Sequence, residues 1–163
     1  CYWDKPYTRV YDNADMSSPS YYRMDGGVLA VRYSNDGHSV FGKTLTVCLP
    51  QGTVLNFCDI DVISANVYAD VDTKDLDIDS VSGNILYSTW YAPYEVDIDT
   101  TSGSVTVAFP EDFGFVCDFG SASGGYSSEF RVYIRDGYIC YGNLFSSLEI
   151  DTVSGNLDLV INR

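Results

Sequence analysis

An all-β fold, a β-solenoid or β-roll of stacked coils about twenty residues long with one inserted hairpin, is predicted by three observations. The first is a ten-residue phrase written five times. It reads Cys58-Asp59-Ile60-Asp61-Val62-Ile63-Ser64-Ala65-Asn66-Val67 and returns with its first residue at Leu76, Val96, Cys117 and Leu148. The copies start 18, 20, 21 and 31 residues apart. The second is period-two alternation inside each copy: positions one and three are apolar, two and four mostly acidic. That pattern puts Leu76 and Ile78 inside a strand face and Asp77 and Asp79 in water. The third is the Ser-Gly that follows in most copies, a corner where glycine supplies a backbone conformation other residues resist.

Each coil then reads as strand, corner, strand, return. The residue after the corner (Ile85, Val105 or Leu157) opens the next inward-facing strand. Upstream, Gly27–Tyr33 is predicted as a strand bounded by Asp25-Gly26-Gly27 and Asn35-Asp36-Gly37. Thr44–Leu49 alternates and stops at Pro50, and Val105–Phe109 stops at Pro110. The long final interval holds two alternating runs, 130–135 and 138–141, joined by Asp136-Gly137, a two-residue hairpin signal. This hairpin, 130–141, is placed between the fourth and fifth copies. Residues 1–24 are expected to form an irregular edge or N-terminal cap, residues 26–163 the repeat region, and the whole of 1–163 one domain.

Composition narrows the partners. The chain has 163 residues and a net charge of −14. An acidic surface repels nucleic-acid phosphates and anionic lipid, so neither is an expected partner. Between Asp75 and Phe130 there are ten Asp and Glu and no Lys or Arg. No run of 18 apolar residues exists, so direct membrane insertion by this segment is not expected. The chain opens on Cys1-Tyr2-Trp3, which reads as the inside of a strand and suggests excision from a longer precursor. Five cysteines leave at least one unpaired in a monomer. Cys58 and Cys117 share the inward phase. With coils stacked in chain order they stand three coils apart, roughly 14 Å, too far for a disulfide. A Cys48–Cys140 pair stays open. No cysteine or histidine spacing suggests zinc.

The recurring [LV]-[DE]-I-D-[ST]-x-S-G-[NS]-[VIL], strands ending in Leu-Pro or Phe-Pro, and the closing Ile150-Asp151-Thr152-Val153-Ser154-Gly155-Asn156-Leu157 resemble the bacterial putative-adhesin family, also called the toast-rack domain. The likeness spans about residues 26 to 163. It implies a β-solenoid of uncharacterised function in the bacterial cell envelope or outside the cell, with an anchor outside this segment. It implies no catalytic residue and no cofactor. Two departures stand out: Ala65 replaces the corner glycine, and Gly120 replaces the second acid.

Three candidate sites follow. Stacked carboxylates raise each other's pKa unless a cation sits between them. Asp77, Asp79, Asp97 and Asp99 are therefore candidate calcium ligands, against a solvated acidic face. Tyr87, Trp90, Tyr91 and Tyr94, in the loop between the second and third copies, are candidate contacts for a protein or glycan at the envelope. The competing reading folds these rings over the core. Catalysis ranks last. His38 is the sole histidine and reads as a surface turn residue. Paired acids such as Asp77 and Asp97 on a flat face lack the cleft that tunes a pKa for acid–base work. The expectation is a non-catalytic scaffold or adhesin-like interaction domain, with a calcium-stabilised or glycan-binding module as the alternative.

Overall fold

A computed structural model describes residues 2–12, 20–33 and 44–163. These form two compact units, Cys1–Gly52 and Thr53–Arg163. No helix occurs among the described residues, so the all-β expectation holds. His38, the Asn35-Asp36-Gly37 turn and Cys1 lie outside the described residues.

Among its described residues the first unit has the strands β1 (Tyr2–Trp3), β2 (Arg9–Asp12), β3 (Ser20–Asp25), β4 (Val28–Tyr33) and β5 (Leu45–Pro50). Strand β5 is central between β1, its parallel partner, and β2, its antiparallel partner. Strands β3 and β4 form a separate hairpin turning at Gly26 and Gly27, both at positive φ. Among the described residues of 1–24, expected as an irregular edge or N-terminal cap, lie β1, β2 and most of β3. The strands at 28–33 and 45–50 appear as predicted, yet they pair locally and the parallel stack begins at Val54. Cys48 is disulfide-bonded, whereas Cys140 is a free, buried thiol. The pairing of Cys48 with Cys140 is therefore excluded. Cys58 and Cys117 are also free.

The second unit begins with β6 (Val54–Ser64), β7 (Val67–Asp70), β8 (Asp72–Ser82), β9 (Ile85–Ser88), β10 (Glu95–Ser102) and β11 (Val105–Phe109). It continues with β12 (Phe115–Ser121), β13 (Tyr126–Ser128), β14 (Tyr133–Arg135), β15 (Tyr138–Tyr141), β16 (Ser146–Ser154) and β17 (Leu157–Ile161). The chain alternates between two sheets. One has the order β14-β15-β12-β16-β10-β8-β6 and the other β13-β17-β11-β9-β7. All pairs between repeat strands are parallel and in register, so Leu76 lies beside Cys58 and Val96, and Ile78 beside Ile60 and Ile98. A sheet with one face in water needs alternating residues along each strand and a covered inner face. Here Leu76, Ile78, Val96, Ile98, Leu148 and Ile150 are buried on one sheet and Ile85, Val105, Val107, Leu157 and Leu159 on the other.

The rung order is not the chain order. Strand β16, of the fifth copy, sits between β10 of the third and β12 of the fourth. Cys58 and Cys117 are consequently four rungs apart, roughly 19 Å at the usual strand spacing, rather than three. Both are buried or half-buried hydrophobes. Burial, and then the neighbouring Asp59, pushes the Cys58 thiol up to about 11. Burial, then Asp118 and Cys140, pushes Cys117 up to about 12.

The predicted hairpin makes this order possible. Strand β15 pairs antiparallel with β12 and β14 with β15, so the insertion extends the sheet beyond the fourth copy. Asp136 and Gly137 both take positive φ, 52° and 92°, as the two-residue turn requires. Phe115, Phe130 and Tyr141 pack ring on ring beneath it, with centroids 4.9–5.7 Å apart.

Candidate functional site: an acidic sheet face and a pinned aromatic loop

The outer face of the larger sheet carries two ordered rows of acids. The first runs Asp59, Asp77, Asp97, Glu149, Asp118 and the second Asp61, Asp79, Asp99, Asp151. The fifth copy's acids therefore fall inside the ladder, before Asp118. In parallel in-register strands each carboxylate stands about 5 Å from the next. None of the ion pairs among the described residues involves these rows; they join Lys5 to Asp4, Arg23 to Asp25, Arg135 to Asp136 and Arg163 to Glu129.

The electrostatic result is directional. Asp97, in the middle of its row, is pushed up to about 6, first by partial desolvation and then by Asp99, Asp77, Glu149 and Glu95. Asp77 is raised by desolvation, then by Asp79, Asp59, Asp61 and Asp99. Asp99 is raised by desolvation, then by Asp151 and Asp79. Gly120 stands where the fifth acid of the second row would be. A Cβ built there overlaps the Asp151 carboxylate, so the missing side chain gives Asp151 room to lean away from Asp99.

Beside the second row runs an exposed row, Ile63, Val81, Thr101 and Val153, apolar except at Thr101. With the acids these border an open depression of about 640 Å³. It crosses four rungs and is largely open to solvent. The predicted calcium ligands Asp77, Asp79, Asp97 and Asp99 are neighbours in a two-by-two block of this face. Among the described residues no three His, Cys, Asp or Glu side chains converge as a metal-binding group.

The aromatic loop joins β9 to β10. Its four predicted contact residues separate on inspection. Tyr87 is 0% exposed and packs edge-on against Phe109, with centroids 6.1 Å apart. Its place on inward-facing β9 makes it core, so it leaves the predicted contact set. Trp90 and Tyr94 are 57% and 51% exposed, and Tyr91 is half-buried. Burial, then the charge of Tyr94 and a hydrogen bond with its side chain, raises the Tyr91 phenol.

The exposed rings are held by polar anchors that the sequence pattern does not single out. Asp72 Oδ1 accepts from Thr89 Oγ1 at 2.9 Å, the Trp90 amide at 2.8 Å and the Tyr91 amide at 3.1 Å. Ser146 Oγ donates to the Pro93 carbonyl at 2.6 Å. Tyr94 donates its amide to the Lys74 carbonyl and accepts from the Ser147 amide, tying the loop to strands on both sides. Phe145, 52% exposed, lies 5.5 Å from Tyr94 ring to ring. It is distant in sequence, and only the insertion of β16 beside β10 brings it here.

No curated protein matches the chain. Among solved structures, a putative cell adhesion protein from Clostridium sporogenes ATCC 15579 aligns with a TM-score of 0.69 at 14% identity. That alignment covers 95% of this chain and 82% of the other, a likeness of fold. The Toastrack DUF4097 family matches residues 51–159, the stretch that carries all five copies of the phrase. On that match the chain belongs to the Toastrack DUF4097 family.

Proposed function

We propose that the chain is a non-catalytic, adhesin-like interaction domain of the cell surface or envelope. In this reading it is a β-solenoid that presents Trp90, Tyr94 and Phe145 to a partner. The supporting observation is the pinning of the loop by Asp72. Three hydrogen bonds converge on one carboxylate oxygen to hold a backbone whose large rings remain in solvent. Pre-ordered aromatic rings bind flat apolar faces with little entropy left to lose. The description of the Clostridium sporogenes protein as a cell adhesion protein points the same way. A neutral glycan, or a protein without a strongly anionic face, suits a chain of net charge −14.

The test is retention of the purified domain on an array of neutral glycans and surface proteins. Trp90→Ala with Tyr94→Ala should abolish retention and leave the melting temperature within a few degrees. Retention that survives the double change sinks the aromatic-loop reading. Hydrolysis of any glycan, lost in Asp77→Ala or Asp97→Ala, sinks the non-catalytic one.

A second reading makes the same scaffold calcium-stabilised at Asp77, Asp79, Asp97 and Asp99. It is favoured by the raised pKa values of Asp77, Asp97 and Asp99, set first by desolvation and then by the neighbouring carboxylates, whose repulsion a divalent cation relieves. A melt in EDTA and then in millimolar calcium decides it, because a ligand of the folded state alone must raise stability. A rise that disappears in Asp77→Asn with Asp97→Asn supports the cation reading, and an unchanged melt removes it.

A further inference from the structure

The larger sheet ends in β14 on one side and β6 on the other, and among the described residues neither has a strand beyond it. An unpaired edge is a row of main-chain donors and acceptors that a further strand can take up. Strand β14 is antiparallel to β15, and β15 to β12. Two reversals restore the direction, so β14 runs the same way as β6 and the other repeat strands.

The register continues from edge to edge. The row that begins at Phe57 on β6 ends at Tyr133 on β14, and the row that begins at Cys58 ends at Ile134. Arg135 follows on β14 as Asp59 follows on β6. The Cys58–Ile134 row lies on the inner face. It is buried along its length, at Leu76, Val96, Leu148, Cys117 and Ile139, and open at both ends. Cys58 is half-buried and Ile134 is 58% exposed. Edges that stay free usually carry an inward-pointing charge or a proline, whereas here the inward position is isoleucine.

The outer-face residues of the two edges match as well. Phe57 and Tyr133 are exposed rings, at 56% and 47%. Asp59 is exposed. Arg135 is exposed and pairs with the adjacent Asp136 at 3.7 Å, a surface contact worth little. Charge divides between the ends in the same sense. From Thr53 to Arg163 the cations are Lys74, Arg131, Arg135 and Arg163, two of them in or just before β14. Strands β6 and β7 carry Asp59, Asp61 and Asp70 and no cation.

We propose that these two edges bind each other between copies of the chain. Strand β14 of one copy adds to β6 of a second copy, parallel and in the register of the stack. Tyr133 then lies beside Phe57, Ile134 beside Cys58 and Arg135 beside Asp59. A one-residue slip would turn Ile134 to the outer face, and a two-residue slip would set Tyr133 against Asp59. The contact joins unlike surfaces, so a copy that has used one edge keeps the other, and growth is open-ended. A strand of three residues makes a small contact of the weak class, read at high protein concentration.

Sedimentation of the full chain from micromolar to millimolar concentration tests it. The average mass should rise with concentration and pass that of a dimer. Ile134→Lys closes the β14 edge and Phe57→Lys the β6 edge, so each variant alone should stay monomeric. An equimolar mixture of the two should reach a dimer and stop, because only one intact edge of each kind remains. Both positions are exposed, so both variants should keep the melting temperature of the unaltered chain. Arg135→Asp probes the same contact by placing like charge beside Asp59: it should weaken assembly several-fold, and Arg135→Asp with Asp59→Arg should restore it. An unaltered chain that stays monomeric throughout overturns the proposal. So does one that stops at a dimer, the mark of a two-fold pair, and so does assembly that persists in both lysine variants.

Discussion

The corner glycines show most sharply how single residues set this fold. A Cβ on Gly83 would overlap the Ala65 carbonyl, one on Gly103 the Gly83 carbonyl, one on Gly155 the Gly103 carbonyl, and one on Gly124 the Gly155 carbonyl. Each rung sits on the carbonyl of the rung before it, in the observed stacking order. Ala65 belongs to β6's rung, the outermost in this sheet, so it has no earlier corner to meet. The apparent departure from the repeat is the end of the ladder. The asparagines read the same way in reverse. Asn66 Oδ1 accepts from the Asn84 amide, Asn84 Oδ1 from Ser104, and Asn156 Oδ1 from Gly125. Gly125, in the last rung, has no later amide to serve. Gly103 also holds a φ of 137°, so Gly103→Ala should cost at least about 2 kcal/mol by chemical denaturation, from strain and overlap together. Ala65→Gly should cost about 1 kcal/mol or less. Equal costs would contradict the ladder. Asp72→Ala should leave the fold cooperative but free the loop, read as faster depolarisation of Trp90 emission.

At the scale of strands, the acidic rows make stability depend on pH. Asp97, Asp77 and Asp99 have folded-state pKa values above the ordinary 3.8. The folded chain therefore holds protons more tightly than the unfolded one. The favourable contribution of Asp97 is complete below about pH 4 and is lost as pH rises through about 6, and Asp77 and Asp99 act in the same direction. The melting temperature should climb as the buffer goes from about pH 7.5 to about pH 5.5, and added salt at the higher pH should raise it as well. Asp97→Asn should raise the melt at neutral pH and flatten the slope. A melt that falls on acidification over that window contradicts the account. The alternation that placed these acids outside and Leu76, Ile78, Val96 and Ile98 inside was fully legible, because a two-residue period has only one burial solution. The Asp136-Gly137 hairpin was legible for the same kind of reason: its turn chemistry is local. The loop anchors were not. Asp72 sits in a strand of mixed polarity, and nothing local tells that its carboxylate caps a loop 18 residues on. Tyr87 misled because aromatic content alone does not say which face of β9 a ring occupies.

For the whole molecule, the least legible feature is the order of rungs. Repeats of equal spacing suggest stacking in chain order, and the extra residues before the fifth copy suggest only an insertion. The fifth copy instead slots between the third and fourth, while the hairpin extends the sheet on the far side of β12. Neighbouring rungs are chemically equivalent, so strand pattern cannot distinguish the two orders; the distinction rests on tertiary packing around Phe115, Phe130 and Tyr141. A cysteine pair separates them. Asp99 and Asp151 are direct register partners, so Asp99→Cys with Asp151→Cys should oxidise readily within the Cα range a disulfide accepts. Asp99→Cys with Gly120→Cys, two rungs apart, should not. The reverse result would restore chain order. The same rearrangement carries Phe145 to Tyr94 and completes the exposed aromatic group. The measurement that reaches the central claim most directly is acrylamide quenching of Trp90 emission in a Trp3→Phe background, with and without a saturating neutral glycan or surface protein retained by the domain. The account predicts that the bound partner shields Trp90 and lowers its quenching several-fold. A partner that binds fully while Trp90 quenches as freely as before would place recognition elsewhere and contradict it.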